Sequence, residues 1–138
     1  MKYTEKGTLI LDGRFVAQEI QSSIKKKIKD SGSEITLATV LVGDDKPSQL
    51  YVNNKHKQAT ASSIKSMHVN LPGNISQSEL EQKISELGDD PTINGILIQM
   101  PLPKGLNEER VINMIQTNKD IDGLKAQNLG KIRVGNEV

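Results

Sequence analysis

Apolar residues recur every four positions near the start of the chain. At this spacing four aliphatic side chains fall on one stripe of a helix: Val16, Ile20, Ile24 and Ile28. We therefore predict a helix over residues 13–30, ended by Ser31-Gly32. The apolar run Thr36–Val42 that follows is typical of a buried strand, and residues 43–47 have the composition of a turn.

Helix and strand patterns continue to alternate through the middle of the chain. Residues 48–62 suit a helix, and residues 64–69 alternate as a second strand does. Ser76 and Glu79 have the spacing of a capping box, which predicts the start of another helix. Three apolar residues follow at helical spacing before residues 88–91 break the pattern: Leu80, Ile84 and Leu87.

The last third of the chain adds one more strand and one more helix. The strand lies within residues 93–100 and is stopped by Pro101-Leu-Pro103. Asn107 can cap the helix, whose inward residues we predict to be Val111, Ile112 and Ile115. Residues 125–138 show little pattern and are expected to form a tail.

This alternation predicts an α/β fold with a small, mainly parallel sheet and right-handed crossovers. Ligands in such folds gather outside the carboxyl ends of the strands. Three segments leave those ends here: residues 43–47 with the following helix, the stretch after Val69, and residues 99–103. Candidate chemistry is therefore sought in these segments.

Composition narrows the class of protein. The chain has 138 residues, one domain's length, with 35% hydrophobic residues and almost no aromatics, so its core is aliphatic. Its 18 basic and 17 acidic residues nearly cancel, and we expect no nucleic-acid or membrane partner. It lacks cysteine and has two histidines, so no metal site is expected. No apolar run reaches the roughly 18 residues of a membrane span, and a cytoplasmic location is predicted.

Tyr51 and Lys55 are the first candidate pair. They lie four residues apart on a predicted helix, so their side chains leave the same face, one turn apart. A lysine can act as a general acid or base where its surroundings lower its pKa toward neutrality, and the phenol offers a flat surface. The alternative from spacing alone is a solvated lysine beside a packing tyrosine.

Gln99 and Asp122 are the other candidates. Gln99 ends the third strand, where Pro101 and Leu102 begin a rigid apolar loop that could form the wall of a flat ligand's site. An ionised Asp122 could accept two N–H donors at once. The alternatives are a glutamine that caps its strand and an Asp-Gly pair that only makes a turn.

Four segments together resemble the N-terminal catalytic domain of the bifunctional methylenetetrahydrofolate dehydrogenase/methenyltetrahydrofolate cyclohydrolase family. They are residues 9–14, residues 41–57 with their Tyr-Val-Asn-Asn-Lys core, residues 95–103 (Gly-Ile-Leu-Ile-Gln-Met-Pro-Leu-Pro), and residues 119–123 (Lys-Asp-Ile-Asp-Gly). Asn128 and Gly130 extend the similarity into the tail. Because the order and intervals agree as well, the resemblance covers nearly the whole chain.

The resemblance implies a role for each candidate. In proteins of this family, the lysine matching Lys55 is the key catalytic group, the tyrosine matching Tyr51 stacks on the folate, and the glutamine matching Gln99 hydrogen-bonds the lysine. The aspartate matching Asp122 holds the pterin edge, and Pro101 and Leu102 would line the substrate. The implied reactions are NADP-dependent oxidation of 5,10-methylene-tetrahydrofolate and hydrolysis of 5,10-methenyl- to 10-formyl-tetrahydrofolate.

The resemblance also implies an architecture. We expect a three-layer α/β/α domain of the aminoacid-dehydrogenase-like N-terminal type over residues 1–124, with 125–138 as a tail. Family members are homodimers and continue into a Rossmann domain, which holds the NADP; we expect that domain to be absent here. The chain has no Gly-x-Gly-x-x-Gly motif of its own and so no cofactor-binding residues are assigned in it.

One departure from the family concerns the helix that bears the lysine. The family has a glycine at its end, where this chain has Ser63, which reaches a left-handed cap conformation only at a cost. A folate-binding module without turnover, or a module that pairs with another chain, remains an alternative to an active enzyme.

Overall fold

The computed structural model describes residues 2–3, 5–10 and 12–136 of the chain. In chain order the elements are β1 (Lys2–Tyr3), β2 (Leu9–Ile10), α1 (Gly13–Ser31), β3 (Thr36–Val42), α2 (Lys46–Ala61), β4 (Lys65–Leu71), α3 (Gln77–Asp89), β5 (Gly95–Ile98), α4 (Glu108–Met114), a 3₁₀ turn (Thr117–Lys119) and α5 (Ala126–Arg133). None of the helices within these ranges is long and apolar enough to cross a membrane.

The central sheet has three parallel strands in the order β4-β3-β5. Strand β3 lies in the middle, with Thr36 opposite Lys65 on one side and Leu37 opposite Gly95 on the other. The predicted parallel sheet is confirmed. A separate antiparallel pair, β1 and β2, was not predicted, because two-residue strands leave no readable alternation.

Two layers of helices cover the sheet, one on each face. Side chains that alternate along β3 and β5 on one face enter the main core with α3 and α4: Ala38, Val40, Val42, Ile96 and Ile98, with Leu80, Ile84, Leu87, Val111 and Ile115 from the helices. The intervening strand residues, such as Thr39 and Leu97, point to the opposite face. Helix α2 contacts β3 and β4 but gives no residue to the main core, so it lies on that opposite face.

Hydrogen bonds explain where the helices begin. Helix α2 begins two residues before the prediction because Asp45 caps it, accepting from the Ser48 backbone N–H at 2.9 Å. The hydrogen bonds from the Ser48 backbone and side chain lower the pKa of the Asp45 carboxyl below its ordinary value. The predicted capping box of Ser76 and Glu79 is present at the start of α3.

Two expectations for helices need correction. Residues 125–138 were expected to lack pattern, but Ala126–Arg133 form α5. Ile112 is only partly buried in α4, whereas Val111 and Ile115 are buried as predicted. On α1, Ile28 is buried, but Val16, Ile20 and Ile24 are exposed, so most of its apolar stripe has no cover from the described residues.

Candidate functional site

Lys55 leaves α2 on the side that faces the sheet. The buried residues of this helix are Ser48, Val52 and Ala59. At 100° per residue, Lys55 falls within about 20° of Ser48 around the helix axis, inside the buried stripe. Its side chain is half-buried and makes no hydrogen bond or ion pair with the described residues. The helix therefore carries an unpaired lysine on its sheet-facing side.

Tyr51 lies on the flank of α2 that looks toward β5. The opposite flank carries His56, whose ring meets the ring of His68 on β4 edge-to-face, with a centroid distance of 4.6 Å. Since β3 separates β4 from β5, the flank opposite His56 is turned toward β5. Tyr51 stands on that flank, one turn before Lys55, and is 62% exposed. A flat ring is thus open to solvent beside the amine.

Gln99 projects from the end of β5 on the same face of the sheet as α2. Its backbone N–H donates to the Val40 carbonyl at 2.8 Å, which continues the ladder one residue beyond the strand. Because Ile98 enters the main core, alternation turns Gln99 to the α2 side. Its Nε2 donates to the Met100 carbonyl at 2.7 Å, and its Oε1 is buried without a partner among the described residues.

The arrangement leaves one amine without an acceptor and one buried amide oxygen without a donor on the same side of the sheet. A buried polar atom without a partner costs free energy, and such atoms are rare in folded proteins. Lys55 is the lysine that α2 carries on its sheet-facing stripe, on the same side of the sheet as Gln99. The two groups are matched in chemistry, since an ammonium donates and an amide oxygen accepts.

Asp122 lies at the outer edge of β5. Asp120 forms an isolated parallel bridge with Ile96, so residues 120–122 run beside the strand. Gly95 makes this approach possible, because a Cβ there would meet Ile121 Cγ2 at 2.5 Å. Asp122 is exposed and makes no hydrogen bond or ion pair with the described residues. It lines a cavity of about 230 Å³ with Thr117, Asn118, Asp120, Ile121, Gly123 and Ile132.

Pro101 and Leu102 line a second cavity, at the carboxyl ends of the strands. Its volume is about 440 Å³, and its other lining residues are Val42, Gly43, Asp44, Asp45, Gly73, Pro103 and Lys104. The Met100–Pro101 peptide bond is cis. Pro101 is exposed, whereas Leu102 is buried and also belongs to the main core. The predicted rigid loop is therefore present, with Pro101 as its outward side chain.

The candidates do not all line one cavity. Tyr51, Lys55 and Gln99 share the α2 side of the sheet, but neither of the two cavities above is lined by any of them. The cavities at Asp122 and at Pro101 have no lining residue in common. From the sequence we predict that Tyr51, Lys55, Gln99 and Asp122 share one pocket, and this stays a prediction.

Comparison with known proteins identifies the family. Residues 11–122 match the family described as tetrahydrofolate dehydrogenase/cyclohydrolase, catalytic domain. The chain belongs to this family. The bifunctional protein FolD of Bradyrhizobium sp. is 42% identical over 130 residues, which are 91% of this chain and 44% of that protein. FolD of Ligilactobacillus salivarius is 42% identical over 126 residues, covering 89% of this chain and 44% of that protein.

Solved structures agree in fold. The bifunctional methylenetetrahydrofolate dehydrogenase/cyclohydrolase FolD of Campylobacter jejuni superposes with a TM-score of 0.89 at 37% identity, over 94% of this chain and 47% of that one. The enzyme of Trypanosoma brucei, solved with NADP and an inhibitor, gives 0.84 at 30% identity, over 91% and 44%. The chain thus spans about half the length of the relatives it matches.

Three residues with buried polar contacts were missed in the sequence. They belong to or follow the Lys-Asp-Ile-Asp-Gly segment of the family: Lys119, Asp120 and Asn128. Lys119 Nζ donates to the carbonyls of Gly88 at 2.6 Å and Asp90 at 2.8 Å, at the end of α3. The signal available was the segment itself, which places a lysine and a second carboxylate beside Asp122.

Proposed function

We propose that this chain is the folate-binding catalytic half of a methylenetetrahydrofolate dehydrogenase/cyclohydrolase and that it carries the groups for hydrolysis of 5,10-methenyl- to 10-formyl-tetrahydrofolate. The observation that supports this most directly is that a half-buried Lys55 without a hydrogen bond or ion pair and the buried, unpartnered Oε1 of Gln99 lie on the same side of the sheet. Family membership supplies the substrate class.

In this proposal Gln99 fixes the catalytic amine. A hydrogen bond from Lys55 Nζ to Gln99 Oε1 satisfies the buried oxygen and holds the amine at the carboxyl end of β5. The Nε2 bond to the Met100 carbonyl fixes which side of the amide faces Lys55. An amine held in one position can move a proton to or from a reacting group, a contribution typically of about 10²–10⁴-fold in rate.

The hydrolysis then needs only water and a proton carrier. Water adds to the carbon of the methenyl bridge, and the adduct opens by breaking that carbon's bond to N5, which leaves the formyl group on N10 and releases one proton. Lys55 assists removal and return of the protons in these steps. Tyr51 stacks its exposed ring on the folate and orients it toward the amine.

Asp122 binds the other end of the substrate in this proposal. Its carboxylate is exposed, lacks a partner among the described residues, and lines a cavity at the edge of β5. A carboxylate can accept two parallel N–H bonds, and the amino-pyrimidinone edge of a pterin offers two such donors. The residue therefore supplies orientation, while Pro101 forms an apolar boundary at the separate cavity by the carboxyl ends of the strands.

The described residues do not fit a dinucleotide. They include no glycine-rich loop that opens a helix with backbone N–H groups free for phosphates, which is the usual device for binding one. We therefore assign the NADP of the dehydrogenase reaction to the half of the relatives' length that this chain does not match, and we derive no hydride-transfer step from these residues.

The test is the rate at which the 138-residue chain hydrolyses methenyltetrahydrofolate, followed by loss of the substrate's absorbance. Lys55→Ala should lower the rate by about 10²-fold or more. Lys57→Ala is the matched control, since Lys57 is an exposed lysine on the same helix and its loss should change little. Equal rates for Lys55→Ala and the original chain would refute the assignment of Lys55.

Gln99→Leu separates the amide from the amine. It removes the acceptor but keeps a side chain of similar size, so we expect a smaller loss, of about tenfold, with Lys55 still present. Calorimetric binding of tetrahydrofolate without any turnover would instead select the alternative of a binding module.

A further inference from the structure

The turn that carries Asp122 is held by a second, buried carboxylate two residues earlier. Asp120 is 5% exposed and accepts three hydrogen bonds. Its Oδ1 accepts from the Leu124 backbone N–H at 3.2 Å, and its Oδ2 accepts from the Lys125 backbone N–H at 2.9 Å. The third donor is Asn128 Nδ2, at 2.9 Å from Oδ2. These bonds close the chain around Asp122.

Asn128 ties this turn to α5. It is 0% exposed, and its Nδ2 also donates to the Thr117 carbonyl at 3.0 Å, so one amide of α5 bonds two residues that precede Asp122. Helix α5 packs directly on the turn, since a Cβ at Gly123 would meet Ile132 Cδ1 at 2.9 Å. The φ of Gly123 is +66°, which also favours glycine.

The other side of the turn is fixed to the body of the domain. Asp120 bridges Ile96 of β5, and the buried Lys119 donates to two carbonyls at the end of α3. The carboxylates of Asp120 and Asp122 therefore have opposite environments. Asp120 is buried and accepts three N–H bonds, while Asp122 is exposed and accepts none from the described residues.

We propose that Asp120 and Asn128 are positioning residues, which hold the Asp122 carboxylate in one orientation at the edge of β5 for a bound pterin. This inference rests on the proposed function, because the pterin edge is what Asp122 would bind. It assigns α5 to the substrate site as a support. A ligand group held to within about 0.5 Å depends on such supporting hydrogen bonds.

A merely structural role makes a different prediction from a positioning role. Irreversible loss of structure lowers the binding stoichiometry without changing Kd, whereas a reversibly unfolding variant shows a Kd raised only by the reciprocal of its folded fraction, which urea denaturation measures separately. Loss of positioning leaves the stoichiometry intact and raises Kd. Calorimetric titration of the 138-residue chain with tetrahydrofolate measures both quantities together.

Asn128→Leu is the first variant. It keeps the side-chain volume and removes the N–H donors to Asp120 and Thr117; the Asn128 Oδ1 has no partner among the described residues, so no acceptor in use is lost. We expect Kd for tetrahydrofolate to rise by about tenfold, because a small displacement of a binding group is costly. Gln127→Ala, on the same helix and in contact with Thr117 but not with Asp120, should leave Kd unchanged.

Asp120→Asn is the second variant and does not depend on the packing around Asn128. An amide cannot accept all three N–H bonds, so Kd should again rise about tenfold at unchanged stoichiometry. Asp122→Asn shows whether the bound ligand uses that carboxylate, with a similar rise expected. A Kd unchanged in both Asn128→Leu and Asp120→Asn, alongside a raised Kd in Asp122→Asn, would overturn the positioning role and leave the proposed function standing.

Amide hydrogen exchange supplies a measurement without ligand. The Leu124 and Lys125 amides should be protected in the original chain and exchange faster in Asn128→Leu, while the amides of β3 stay protected. Rapid exchange at both amides in the original chain would overturn the inference. Absence of tetrahydrofolate binding by the original chain would overturn the proposed function, and the inference with it.

Discussion

Ser63 offers a direct test of the backbone account of the helix that bears Lys55. Its φ is +64°, the only positive value at a residue other than glycine among the described residues. Two hydrogen bonds, from Ile64 N to the Ala59 carbonyl and from Ser63 N to the Thr60 carbonyl, form a Schellman motif at the end of α2. In this motif the first residue beyond the helix cap, here Ser63, takes the left-handed conformation. Serine is therefore held where glycine fits better.

The expected gain follows from two opposing terms. A side chain in the left-handed region costs about 1–2 kcal/mol relative to glycine. Glycine also has more conformational freedom than serine in the unfolded chain, which lowers the free energy of unfolding by about 0.4–1 kcal/mol and offsets part of the gain. Ser63 is exposed and its hydroxyl has no partner among the described residues, so no contact is lost. Ser63→Gly should raise the free energy of unfolding by about 0.5–1 kcal/mol, or roughly 2–4 °C in Tm.

Urea denaturation, followed by helix content, measures this difference. The matched control is Gly32→Ser, because Gly32 ends α1 with the same φ of 64° and a Cβ there would meet no atom within 4 Å. It should lower the unfolding free energy by a similar amount. Should Ser63→Gly leave the midpoint unchanged or lower it while Gly32→Ser destabilises, the explanation of the α2 end would be wrong.

Two further perturbations test other parts of the fold. Gly95→Ala places a methyl group against Ile121, so we expect lower stability in urea denaturation and weaker tetrahydrofolate binding. Adding Ile121→Ala should largely restore both. If the double variant restores neither, the close approach of Ile121 to Gly95 is not what limits this position. The Ser76 hydroxyl and backbone N–H donate hydrogen bonds to the Glu79 carboxylate and lower the pKa of that carboxyl. The pair therefore stabilises the folded chain above the ordinary Glu79 pKa of 4.5, and this contribution is lost as the pH falls through the lowered pKa. Ser76→Ala should therefore reduce Tm near neutral pH and lose that part of the acid sensitivity; an equal reduction of Tm at pH 7 and pH 3 would argue against it.

The middle strand of the sheet could be predicted from the sequence because it is buried on both faces. Residues 36–42 form a continuous apolar run, and β3 has these same bounds, as expected for the middle strand. The sequence places the start of α2 two residues late, because residues 43–47 have the composition of a turn. Asp45 and Pro47 serve instead as the cap and first turn of the helix, roles that their composition alone does not distinguish.

Helix α5 could not be predicted from periodicity because its buried contacts are made by a polar residue. Its one buried residue is Asn128, while Leu129 and Ile132 are exposed. A pattern search expects apolar residues on the inner face and polar residues on the outer face, and this helix has the reverse at those positions. Its place depends on a hydrogen bond to Asp120, eight residues earlier, which no local pattern reveals.

The candidate site likewise has features that sequence patterns predict and features that they do not. The shared helix face of Tyr51 and Lys55 followed from spacing, and the turn of Gln99 toward α2 follows from strand alternation. The lateral order of the strands did not follow from either. Only the contact between His56 and β4 shows which flank of α2 is directed away from β5, and only the Ile96–Asp120 bridge brings the last segment to the sheet edge.

The two aspartates of residues 120–122 show how far residue type alone can lead. Both are acidic, both flank Ile121, and either could have been assigned to a ligand from the sequence. The structure separates them by their donors. A carboxylate that already accepts three N–H bonds in a buried position has little capacity left for a ligand, whereas an exposed carboxylate without partners keeps all of it. The unoccupied residue is therefore the ligand-binding candidate, and the occupied one explains why it stays in place.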